Sequence, residues 1–139
     1  MAFFAESRVL THAGVLAMLA AAVAKAEEIG QPQCIVIVDA SGETLGELRM
    51  TGAKFLSRKS ARAKARTAAS IRAETSSIPE AVRPAIAAAT QGEVTGLGGG
   101  VPVMVNGSVL GGIGIGSGSA EQDKQVALAA LAAIGADHI

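Results

Sequence analysis

Few side chains in this sequence of 139 residues are placed to do chemistry. Lys64 is one. It stands in "SARAKARTAAS" (60–70) and aligns at helical spacing with Leu56, Ser60, Thr67 and Ile71, a stripe that reads as core-facing. An ammonium there must reach a carboxylate or a pocket, and a desolvated lysine can be shifted toward its neutral, proton-handling form. Two imidazoles exist, His12 and His138, and each is a candidate base or metal ligand. Neither belongs to a zinc-type spacing or a Ser-His-Asp arrangement. Asp123 closes "SAEQD" (119–123), in which Ser119 and Gln122 have the spacing of a helix capping box. Glu121 and Asp123 then fall in the first helical turn, where carboxylates suit the positive helix end and disfavour a phosphate there.

The stretch "SVLGGIGIGSGS" (108–119) raises a second possibility. As a strand it alternates, so Val109, Ile113 and Ile115 share one face and Gly112, Gly114 and Gly116 the other. Glycine weakens a strand, so a bare face implies that something approaches the backbone closely. The occupant is a helix of the same chain, a neighbouring subunit or a flat ligand. The spacing matches neither a P-loop nor a dinucleotide fingerprint, which would open a βαβ unit rather than close a hairpin.

The elements that position these residues follow from pattern. Residues 12–29 form an Ala-rich helix capped by Thr11 and ended by Gly30. "CIVIVDA" (34–40) and "TLGELRM" (44–50) form a hairpin about "SGE". A basic helix spans 54–72 and a looser helical region 79–90. "GEVTGLGGG" (92–100) is a loop. "VPVMV" (101–105) and 108–116 pair across Asn106-Gly107, a type I′ turn. A last helix covers 119–134. Helix, hairpin, helix, hairpin, helix predicts an α+β fold, with an antiparallel sheet flanked by helices in one domain over 1–139.

Composition narrows the function classes. Twelve Lys and Arg balance twelve Asp and Glu, so no global field points to nucleic acid or membrane. Six of those cations lie between 58 and 72, with Arg58, Arg62 and Arg66 on one stripe. That stripe is a solvated face or meets another subunit, and Phe55 is the one aromatic residue near it, too few for a base-stacking platform. The single cysteine, Cys34, excludes an internal disulfide and lies in an apolar run, so packing is its expected role. "VLAMLAAAVAKA" (15–26) resembles a secretory leader, but Glu6 and His12 interrupt its flank and the helix continues past it. The expectation is a cytoplasmic protein, with secretion the alternative.

Together "IVDASG", "RMTGA", "SARAKARTAAS" and "GGVPVMVNGSVLGGIGIGSGSAEQD" resemble the GlcG/HbpS-like family, which includes the C-terminal domain of PduO-type proteins. The resemblance covers about residues 10–135. It implies a profilin-like or PAS-like layout, homo-oligomers from dimers to octamers, and heme as the ligand. It places His12 as iron ligand and Arg49 and Lys64 as partners of the propionates. Thr51 departs from the Asp usual in "RMDGA", and three phenylalanines are few for a heme pocket. The rival reading is a cofactor-independent enzyme acting on a small organic acid or aromatic catabolite. In it Lys64 or Asp123 moves protons, Arg49 anchors a carboxylate, and the glycines leave room for substrate. A third reading is a structural oligomerisation domain.

Overall fold

A computed structural model describes all residues 1–139. Thr11 caps α1 (His12–Glu28), its hydroxyl accepting from the Gly14 amide at 3.2 Å. β1 (Cys34–Asp39) and β2 (Thr44–Arg49) form the first hairpin. In its turn the Asp39 carboxylate accepts from the Ser41 and Glu43 amides at 2.8 and 3.1 Å. α2 (Ser57–Ile71) follows. The region after it is more broken than its pattern suggests: two single 3-10 turns precede the short α3 (Arg83–Ala89), which has Pro84 in its first turn. β3 (Gly100–Val105) and β4 (Ser108–Gly116) make the second hairpin. Asn106 and Gly107 both hold positive φ, as a type I′ turn requires. Ser119 and Gln122 form the expected capping box at the head of α4 (Ala120–Ala133).

The strands make one antiparallel sheet in the order β2-β1-β4-β3. β1 and β4 are therefore central. β1 is a nearly continuous apolar run because both of its faces are covered. On one face Ile35, Ile37, Val101, Val103, Ile113 and Ile115 pack against α1 and α4 through Met18, Ala22, Val126 and Ala130. On the other, Cys34, Val36 and Val38 pack against Ala61, Ala65 and Ala69 of α2. Burial pushes the Cys34 thiol pKa up, in keeping with a packing role.

Two expectations for β4 change. The register between β3 and β4 shifts between Val103 and Met104, and this bulge sends Leu110 into the core in place of Val109. The glycine face is closed by the chain's own helix. A Cβ on Gly112 or Gly114 would overlap the carbonyl oxygen of Ala65 or Ala61, and one on Gly116 would lie 2.7 Å from that of Ser57. The contacts step by two residues on the strand and four on the helix, so α2 runs antiparallel to β4 with one glycine near each turn. The assignment of Gly112, Gly114 and Gly116 to ligand binding is thereby corrected: α2 fills the space.

The C-terminal tail is tied down rather than loose. The Asp137 amide donates to the Met104 carbonyl at 2.7 Å, and its carboxylate accepts from the Gly107 and Asn106 amides at 2.8 and 2.9 Å. These bonds hold the Asp137 carboxyl below its ordinary range. A carboxyl depressed on folding contributes stability above its unfolded pKa and loses it as pH falls through the folded one. The Asp137 side chain is expected to titrate below an ordinary aspartate in an NMR pH series. Asp137→Asn should speed amide exchange at Gly107 with little global effect; unchanged exchange there would contradict the latch.

Candidate functional site

Lys64 reaches both a pocket and a carboxylate. Its Nζ donates to the Ile115 carbonyl at 2.7 Å and to Asp123 Oδ2 at 3.0 Å. The two side chains are almost fully enclosed, Lys64 at 5% and Asp123 at 1% exposure. Asp123 Oδ1 accepts from the Gly118 amide at 3.1 Å, so the carboxylate also organises the turn into α4. α2, the end of β4 and the first turn of α4 each supply one part. Removing one partner of such a pair strands a buried charge, which is far more disruptive than losing a surface bridge.

Glycines let the backbone close on this pair. A Cβ on Gly99 would lie 2.6 Å from Asp123 Cβ and 3.3 Å from Lys64 Nζ. One on Gly100 would meet the Lys64 carbonyl oxygen at 2.6 Å, and one on Gly118 would meet Asp123 Oδ1 at 2.8 Å. "GLGGG" (96–100), read from sequence only as a loop, is thus part of the wall around the ion pair. The signal was the glycine run itself. Gln33 is a further residue that pattern alone did not mark. It is fully buried, and neither its Oε1 nor its Nε2 has a hydrogen-bond partner. A Cβ on Gly118 would also lie 3.0 Å from Gln33 Nε2. An unmatched buried amide costs about 1–3 kcal/mol.

Above the pair opens a pocket of about 260 Å³. Lys54, Ser57, Ser60, Lys64, Ala120 and Asp123 are among the residues lining it. Lys64 and Asp123, proposed from sequence as separate proton carriers, therefore share one cavity.

Arg49 and His12 lie elsewhere. Arg49 ends the edge strand β2, exposed and without a carboxylate partner, and lines an open cleft of about 620 Å³ with Val23, Glu27 and Met50. His12 is the exposed first residue of α1. Along that helix it stands ~16–22 Å from the Val23–Glu27 rim of the Arg49 cleft. Arg49 and Lys64 line different cavities, and His12 lines neither of them. The basic stripe is partly neutralised: Arg58 pairs with Glu47 at 2.8 Å and Arg66 with Glu93 at 3.1 Å. No helix is long and apolar enough to cross a membrane.

Fold and site define an α+β domain built around a buried ion pair, and comparison with known proteins places it. The profile described as "Haem degrading protein HbpS-like" matches residues 10–132, and the chain belongs to that family. It is 41% identical over 119 residues to a corrinoid adenosyltransferase PduO of Citrobacter freundii, covering 82% of this chain and 36% of that protein. The chain thus spans about a third of that relative. The solved structure of Klebsiella pneumoniae protein ORFY superposes with a TM-score of 0.92 at 32% identity, covering 99% of both chains. A PduOC:heme complex superposes with a TM-score of 0.87 at 32% identity, covering 94% of this chain and 98% of that one. Two of the segments that carry the family resemblance, "SARAKARTAAS" and the one ending "GSAEQD", meet at the 3.0 Å bridge between Lys64 and Asp123.

Proposed function

We propose that this protein binds heme at a surface half-site headed by His12 and completed by a second copy of the chain. The observation that carries the reading is the setting of His12. Its imidazole is exposed and makes no hydrogen bond or ion pair within the chain. Leu16, 63% exposed, lies one turn on along the same helix face, and Phe3, Phe4 and Val9 stand exposed in the preceding segment. A metal-capable nitrogen beside unburied apolar side chains suits a flat apolar cofactor that a partner then covers. A heme complex of a structural neighbour supports the choice of ligand. His12 would hold the iron, and bound heme would supply a redox-active centre whose potential its axial ligand tunes. Arg49, exposed on the rim of a separate cleft, is available to a propionate from the second copy.

Hemin titration tests this reading. Wild-type protein is expected to give a shifted, saturable Soret band. His12→Ala should weaken binding by more than the ~10–100-fold that outer-shell changes cost around a metal. An unchanged band in the variant would remove His12 as ligand.

A second reading is turnover of a small organic acid without a cofactor. One observation favours it: both proton-carrying groups, Lys64 and Asp123, line the same pocket. Arg49 is outside that pocket, so another group must hold the acid.

A further inference from the structure

We infer that the pocket above Lys64 and Asp123 is a binding site for a small monocarboxylate. The inference is separate from the heme reading. It rests on the same pocket as the turnover reading, but concerns binding alone.

An ammonium has three N–H donors. On Lys64 one goes to the Ile115 carbonyl and one to Asp123. The third belongs to a side chain that is nearly buried and borders the cavity. A buried charged donor calls for an acceptor, and an oxygen of a bound ligand would supply it. The neighbouring groups favour an acid. Lys64 and Asp123 cancel, and Lys54, which has no carboxylate within ion-pair distance, leaves the lining one positive charge in excess. Ser57 and Ser60 line the same wall.

Charge and size limit the ligand. One excess positive charge suits a monoanion, whereas a phosphate dianion would meet the Asp123 carboxylate. A cavity of about 260 Å³ has the volume of roughly nine liquid waters, enough for an acid of roughly two to four carbons with a hydroxyl or keto group. The keto or hydroxyl oxygen would take the free Lys64 donor, and the carboxylate would lie toward Lys54.

NMR titration of the full-length ¹⁵N-labelled chain tests the site, with lactate, pyruvate, phosphate and chloride as probes at matched ionic strength. Lactate or pyruvate is expected to shift the Gly98, Gly118 and Ala120 amides saturably in the millimolar range, and phosphate and chloride are not. Lys54→Met should weaken that binding about tenfold. The double substitution Lys64→Met/Asp123→Leu removes both charges together and should abolish it while keeping a folded spectrum. If that double variant does not fold, Lys54→Met and Ser60→Ala decide, since both change only lining groups. Absence of saturable shifts with either acid, equal shifts with chloride, or full affinity in both lining variants would overturn the site. Binding without conversion of the acid would contradict only the turnover reading.

Discussion

Gly114→Val is expected to unfold the protein or to lower its stability by more than ~4 kcal/mol, beyond the range of ordinary substitutions. A Cβ on Gly114 would overlap the Ala61 carbonyl oxygen and lie 2.6 Å from the Ala65 amide nitrogen. Both obstacles are backbone, which cannot step aside as a flexible side chain can. Nor can the strand retreat, because β4 is hydrogen-bonded to β1 on one side and β3 on the other. The whole of α2 would have to lift from the sheet, uncovering Val36 and Val38. Thr44→Val, on the exposed edge strand, is the control and should stay within about 0.5 kcal/mol of wild type. Urea unfolding midpoints measure both. A Gly114→Val protein of normal stability would show that α2 does not rest on this face, and would reopen it to a ligand.

Lys64→Met should destabilise the fold by ~3–5 kcal/mol, because it leaves Asp123 buried and unpaired. The double variant Lys64→Met/Asp123→Leu should recover much of that loss, since it removes the stranded charge. Arg58→Met is the informative contrast. Arg58 meets Glu47 at 2.8 Å, shorter than the 3.0 Å between Lys64 and Asp123. Yet both surface groups remain in contact with water, and exposed bridges are worth at most about 1 kcal/mol. Burial, not distance, ranks the two pairs. Equal destabilisation by Lys64→Met and Arg58→Met would contradict the enclosed pair.

The residues carried local information well and long-range information poorly. Thr11, Asn106-Gly107 and the Ser119–Gln122 box act within four residues, so their chemistry shows in a short string of letters, and each lies where its pattern placed it. The α+β order of elements followed from such signals. The stripe through Lys64 showed that its ammonium points inward, but not which carboxylate waits there. Asp123 is 59 residues away, and only the packing of α2 and α4 against the end of β4 brings the two together. The glycine alternation in β4 revealed a close approach without revealing what approaches. The bulge that exchanges Leu110 for Val109 adds one residue to one strand, and it left no mark in composition. His12, Arg49 and Lys64 were grouped around one ligand on the strength of a resemblance, and the fold sets Arg49 and Lys64 on different cavities.

In the proposed heme site one protomer carries only half of the ligand's surroundings and a second copy the rest. Sedimentation velocity of the hemin-loaded protein, followed at the Soret wavelength across a dilution series, measures this directly. Soret absorbance is predicted to travel only with species of two or more chains, and to fall away as dilution produces monomer. Soret absorbance sedimenting with a single chain of 13.8 kDa would contradict it.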